Sequence, residues 1–265
     1  MMPEHAQWIR FTPQQRFARF SVYLCVVAAI AWALKTIQII PEFLYDAPEQ
    51  VMDMGTRMWP VDWAHFWPVV WPALVETMHI AALATLLGLA MGIPVGFLAA
   101  RNATPLPWLN AIAKFILVAT RSISTLIWAL FFVAMFGPGA LAGSLAIAFH
   151  SIGFIGKMFS EGVEEANKGS IEALQAAGAT RMQQIIMGYW PQVLPTFWSI
   201  ALFRWDINVR ESAVLGLVGA GGIGMALNSA IDLIQWRRVA LILLTIFIVV
   251  ILIEAIVTQI RKRVI

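Results

Sequence analysis

Arg121, Arg204, Asp206, Arg210, Glu211, Glu254, His79 and His150 all stand in or beside long apolar runs. A charge held in hydrocarbon is costly, so such residues face a bundle interior, a partner or water. Two kinds of chemistry follow. The commoner is structural pairing, for instance of Arg204 with Asp206 or with Glu211. The sharper is a pathway that attracts an anion. A guanidinium presents a fork of donors that matches a tetrahedral oxyanion. Arg121 and Arg210 are the candidates for that role, with Asn208 beside Arg210. Glu76 and His79 form E-x-x-H, a spacing that can bind metal on a helix. The partner ligands are missing, so a packing or interfacial role is expected and no metal site is assigned. Gly219, Gly221 and Gly224 fit G-x-G-x-x-G. A dinucleotide site would need a preceding strand and a βαβ unit, whereas these glycines close an apolar run. A tight turn or close backbone approach is the expected use. Four His at distant positions supply no convergent catalytic set, so catalysis by this chain is not expected. The lone Cys25 lies in an apolar run and offers neither a disulfide nor a Cys-based metal site.

The elements that must position these residues are membrane spans. Of 265 residues, 60% are hydrophobic and 12% charged, about half the charge fraction of a soluble domain. The net charge of +3 forms no solvated basic face, so nucleic acid is not expected as a partner. A spanning helix needs roughly 20 mostly apolar residues. Six candidates meet this: Ser21–Ile40, Ala73–Ala100, Ala111–Phe136, Leu141–Phe159, Val193–Val218 and Val239–Val257. The fifth is interrupted by Arg204, Asp206, Arg210 and Glu211. The expected fold is therefore an all-α integral membrane protein of about six transmembrane helices. Gly88, Gly92 and Gly96 make a small-xxx-small face on the second span, with the partner helix left open.

Orientation follows the basic residues. Arg10, Arg16 and Arg19 in the N-terminal tail, and Arg261, Lys262 and Arg263 in the C-terminal tail, place both termini in the cytoplasm. Arg237 and Arg238 run against that assignment. The Pro41–Pro68 loop is then extracytoplasmic, with five acids against Arg57 and with Trp59, Trp63, Trp67 and Trp71 as an interfacial aromatic belt. The first span follows a long polar tail, contains Lys35 and has no clear cleavage site, so it is expected to be retained. The division is 1–70, comprising tail, first span and external loop, and 71–265, a transmembrane domain with a polar loop at about 160–191.

That loop carries a further pattern. Asn167 reads as an N-cap, Ala173, Leu174, Ala176 and Ala177 favour helix, and Gly178 ends or bends it. A second short helix through Met187 follows, and Pro191 and Pro195 open the next span. Glu172, Ala173, Gly178 and Pro191 fall in register with the E-A-A…G…P loop of permease subunits of ATP-binding-cassette importers. Leu174, Gly188 and Trp190 depart from the pattern. Residues 77–102, 121–132 and 208–224, among them Asn208, Arg210 and the Gly219–Gly224 turn, resemble phosphonate-transport permeases and the similar phosphite and hypophosphite permeases. The resemblance runs from about Val70 to the C-terminus.

The resemblance implies a type I importer fold with a cytoplasmic coupling helix between the fourth and fifth spans. It implies a homodimer in the bacterial inner membrane, a cytoplasmic ATPase dimer docked on Glu172, Ala173, Gly178 and Pro191, and a periplasmic or lipid-anchored substrate-binding protein. ATP and Mg belong to the ATPase, since this chain has no G-x-x-x-x-G-K-[ST] loop. No cofactor is expected on the chain itself. An importer for another small solute remains open, as does a channel or secondary transporter, although no internal repeat is visible.

Overall fold

The computed structural model describes residues 11–37, 41–104 and 106–264, and every regular element among them is helical. Contacts divide the chain into two compact units, one ending at Gly55 and one beginning at Thr56. In the first, α1 (Pro13–Thr36) starts on a reciprocal cap between Thr12 and Gln15 and buries none of its residues. Its apolar surface is suited to lipid rather than to a water-facing fold. Arg10 and the last residues of the predicted first span, 38–40, lie outside the described residues.

The segment expected as an external loop is largely helical. α2 (Pro41–Met58) occupies most of it, and a 3₁₀ turn at Trp63–His65 and a π turn at Phe66–Val70 lead into α3 (Trp71–Ala99). Trp59, Trp63, Trp67 and Trp71 all remain exposed. Asp62 accepts from the Arg238 guanidinium at 3.5 Å, and its backbone N–H donates to the Arg237 carbonyl. The Arg237–Arg238 pair thus shares an end of the bundle with this segment. His65 and Arg238 beside Asp62 hold its carboxyl below the usual range.

The second unit is built around α3 and α6 (Ala140–Glu164), which pack against each other more extensively than any other pair. Glycines make that approach possible. A Cβ on Gly88 would lie 2.9 Å from Ser151 Cβ, on Gly92 3.1 Å from Ile155 Cγ2, and on Gly96 2.8 Å from the Gly156 carbonyl. The partner of the small-xxx-small face is therefore in the same chain. On another side of α6, Gly153 and Gly156 admit Leu117 of α4 (Pro107–Ser122).

The third predicted span is not one helix. α4 and α5 (Thr125–Phe136) meet at an 88° bend. Ile123 and Ser124 are extended, and the Ser124 hydroxyl caps α5 by accepting from Leu126 N–H. The carbonyls freed by the break find partners: Ile123 O accepts from His150 Nδ1 at 3.1 Å, and Thr120 O from Trp128 Nε1 at 3.4 Å. Broken backbone at membrane depth requires such compensation. At 16 and 12 residues, neither piece alone spans a core about 30 Å thick. Five described helices are long and apolar enough to cross a membrane, or six if the bent pair makes one crossing.

After α6 come α7 (Lys168–Ala176), α8 (Arg181–Gln183), a π turn at Gln184–Tyr189 and α9 (Trp190–Leu215). The short helix expected to stop near Met187 instead runs on into α9. α10 (Ile223–Asp232), which the hydropathy reading did not separate, and α11 (Trp236–Val264) complete the unit.

Candidate translocation and coupling sites

The polar loop folds as a short helix set outside the bundle. Asn167 caps α7 through its side-chain oxygen, which accepts from Gly169 N–H at 2.9 Å. At the other end Gly178 takes φ +81°. Ala179 N–H reaches the Leu174 carbonyl and Gly178 N–H reaches that of Gln175, both at 3.0 Å. This paired closure needs a left-handed residue, which glycine supplies without strain. Glu172 and Ala173 lie on the exposed side, while Ile171 is buried. A Cβ at Gly188 would sit 2.5 Å from Ile171 Cδ1. Gly188, one of the departures from the loop pattern, is thus the socket for the anchor of α7.

Further contacts fix this element to the bundle. Asn167 N–H donates to Gln192 Oε1 at 2.8 Å, Tyr189 Oη donates to the Asn102 carbonyl at 3.1 Å, and Asn102 Nδ2 donates to the Val163 carbonyl at 2.7 Å. Pro191 lies in the first turn of α9, directly after the π turn at Gln184–Tyr189. Glu172, Ala173 and Gly178 are therefore grouped on one exposed corner, with Pro191 at the base of the helix that carries it.

A second group runs through the bundle along α9. Arg204 is 3% exposed; its Nε donates to Ser151 Oγ at 2.8 Å and its Nη2 pairs with Glu211 at 3.2 Å. Glu211 also accepts from Thr125 Oγ1 at 3.2 Å, just past the break between α4 and α5. Asn208 is fully buried and donates to Thr85 Oγ1 at 2.8 Å. Thr85, Ser151 and Thr125 were not singled out from sequence. Their partners lie 123, 53 and 86 residues away in the chain, and no local pattern marks them.

The three pathway candidates are not brought together. Asn208 is committed to the buried network and lines neither cavity. Arg210 pairs with Asp206 one turn away and is about half exposed. It borders a shallow cavity of about 290 Å³ with Ser124, Thr125, Leu126 and Glu211. Arg121 lines a different cavity, of about 360 Å³, with Arg101, Lys114, Lys157 and Glu164.

The glycine turn combines two devices. Gly219 and Gly221, together with Gly222, have positive φ. Gly224 instead allows close approach, since a Cβ there would lie 2.1 Å from the Ala213 carbonyl. Thr77 Oγ1 accepts from Ile223 N–H at 2.7 Å and so pins the turn to α3. Glu76 lies against the same turn: a Cβ on Gly221 would be 2.9 Å from its Oε1. Among the described residues no group of three or more His, Cys, Asp or Glu is placed to hold a metal ion.

Residues 92–265 match the family described as "Binding-protein-dependent transport system inner membrane component". The phosphite transport system permease protein PtxC of Stutzerimonas stutzeri is 41% identical over 190 residues, 72% of this chain and 69% of that one. The phosphate-import permease protein PhnE of Mycolicibacterium smegmatis is 34% identical over 250 residues, 94% of this chain and 47% of that one. A solved inward-facing MetNI methionine ABC transporter chain superposes with TM-score 0.67 at 24% identity, covering 77% of this chain and all of that one. The last likeness establishes the type I importer permease fold.

Proposed function

Since the chain belongs to the family of inner membrane components of binding-protein-dependent transport systems, we propose that it is the permease subunit of an ATP-binding-cassette importer that takes up a phosphorus oxyanion: phosphonate, phosphite or hypophosphite. The observation that carries the substrate class is the identity to relatives named for phosphite and phosphate transport. The exposed corner of α7 carries the mechanism. Glu172 and Ala173 stand on a short capped helix anchored by Ile171, and such a knob suits a groove on an ATPase. ATP and Mg bind the ATPase dimer, whose closure pushes on α7 and, through the continuous run from Arg181 into α9, on the buried polar seam. A substrate-binding protein delivers the solute on the opposite face.

Two permease segments form the pathway. A single copy offers one wall, and a twofold partner supplies the other. In PhnE the matched segment is under half of the chain, which leaves room for a second segment of similar length. We assign the partner here as a second copy of this chain, with both termini in the cytoplasm. Arg210, beside the break at Ile123–Ser124, is the residue proposed to meet the oxyanion, with Arg121 further along the path. Transport requires weak capture, and the pairing of Arg210 with Asp206 tempers its charge.

The test measures uptake per folded transporter together with ATP hydrolysis. Glu172→Lys and Gly178→Asp should leave the protein inserted while uptake falls by at least about tenfold and ATP hydrolysis ceases to follow substrate. Arg210→Ala should slow normalised uptake without changing the binding protein's affinity, and Arg210→Lys should restore it only partly because the fork is lost. Normal uptake by both α7 variants would refute the coupling role. An unchanged normalised rate in Arg210→Ala would refute the pathway role. Crosslinking that finds only one copy of this chain in the intact transporter would refute the homodimer.

A further inference from the structure

The cavity that holds Arg121 is lined by four cationic side chains and one carboxylate. Arg101 follows α3, Lys114 and Arg121 lie on α4, and Lys157 and Glu164 lie on the last part of α6. Arg101 and Glu164 place one side of it at the end of the bundle from which α7 projects, and Arg121 lies near the break between α4 and α5. The acids nearby are already engaged. Glu164 Oε1 accepts from the backbone N–H of Arg101 at 2.9 Å, and Glu161 pairs with Lys157 at 2.8 Å. Arg101, Lys114 and Arg121 have no carboxylate partner among the described residues.

Three cations without a carboxylate partner repel each other around one concavity, and their excess over the single Glu164 carboxylate draws anions to it. At about 360 Å³ the cavity falls at the small end of ligand pockets, which run from roughly 300 to 1,000 Å³. Leu117 and Val118 add apolar lining. The cavity thus offers guanidinium and ammonium donors beside a surface for carbon. Guanidinium and ammonium together suit a phosphate group, which accepts from several donors at once.

We propose that this cavity is a binding site for a phosphate-type oxyanion, supplied either by the head group of an anionic phospholipid or by free phosphate. The site belongs to one chain and does not require the Arg210 groove. It shares Arg121 with the path proposed above, while Arg101 and Lys114 line this cavity alone. Binding here would neutralise the repulsion among Arg101, Lys114 and Arg121 and tie α4 to the α3 and α6 ends beside α7.

The test uses the full chain in nanodiscs and measures binding, not uptake. In one arm the lipid is phosphatidylcholine alone and the probe is radiolabelled inorganic phosphate. In the other, phosphatidylglycerol is mixed with phosphatidylcholine, and lipids retained by the protein are counted by native mass spectrometry. Saturable phosphate binding in the first arm identifies free anion as the ligand. Preferential retention of phosphatidylglycerol in the second identifies the head group. In whichever arm is positive, the double variant Lys114→Gln/Arg121→Gln should lose at least about tenfold in affinity, the scale of one charge-assisted hydrogen bond. Lys114→Arg/Arg121→Lys should keep most of it. If the glutamine pair fails to fold, Arg101→Gln, at an exposed position outside the helices, gives the same reading. Absence of binding in both arms overturns the proposal, as does binding that the charge-removing variants leave unchanged. Because no uptake enters the measurement, a transporter that carries a different solute would refute the proposed substrate and leave this site standing.

Discussion

α6 meets two of its neighbours, α3 and α9, by opposite means. Against α3 it is joined by absence: Gly88, Gly92 and Gly96 bring the backbones together, and there is no room for a side chain. Towards α9 it is joined by polarity, through Ser151, Arg204, Asn208 and Glu211. The first seam has one good arrangement, because close packing does not deform continuously. The second consists of a few directional bonds around side chains that have other possible partners. In a transporter that must alternate between two states, the glycine seam is suited to move as a rigid body and the polar seam to be the surface that rearranges. Ser151 belongs to both: its Cβ faces Gly88 and its hydroxyl meets Arg204.

The contrast makes unequal predictions. The largest concerns the polar seam. Glu211→Ala leaves Arg204, which is 3% exposed, without its counter-charge, and stranding a buried ion costs about 3–5 kcal/mol. Thermal unfolding in detergent should report that loss. Arg204→Met combined with Glu211→Leu should recover most of it, since no charge is left stranded. If the double variant is as unstable as the single, the seam is held by shape and the contrast fails.

Next comes the glycine seam. Gly96→Leu forces a Cβ to 2.8 Å from the Gly156 carbonyl, and overpacking of this kind costs about 1–3 kcal/mol. Gly55→Ala is the control, because a Cβ there meets nothing within 4 Å. Equal unfolding temperatures for the two variants would remove the claim that α3 and α6 need contact without side chains.

The smallest effect lies outside both seams, at Asp62. Its folded-state pKa is depressed. Its contribution is therefore complete above the ordinary carboxylate pKa and is lost as pH falls through the lower folded value, in acid below about pH 4. Asp62→Asn should lower the neutral-pH unfolding temperature slightly and, because that contribution is already gone, flatten the decline in the acid window. A decline identical to wild type would mean that the Arg238 and His65 contacts carry no weight.

Spans were legible in the sequence wherever hydrophobicity alone decides, as at Leu141–Phe159 and Val239–Val257, since the bilayer sets the length. The capped α7 was legible because Asn167 and Gly178 act locally. The break in the third predicted span was not, since apolar residues continue on both sides of it. Its one local mark is Ser124, an N-cap in the middle of an apolar run. The helical course of the Trp-rich stretch was hidden by its acidic residues, which read as a loop. The partner of the small-xxx-small face and the Thr85–Asn208 bond join residues far apart in the chain, and spacing within one helix cannot reveal them. Intramembrane charge marked Arg121 and Arg210 as unusual but could not assign them to separate cavities.

The central claim is that this chain is the pathway of an ATP-driven importer for a phosphorus oxyanion. Reconstitution with its ATPase and binding protein in proteoliposomes, followed by measurement of labelled phosphite and phosphonate uptake, tests it most directly. The account predicts saturable accumulation of at least one of them that requires ATP on the α7 side and is abolished by Glu172→Lys. Accumulation without ATP, or ATP-dependent uptake of an unrelated solute with neither anion carried or competing, would contradict it.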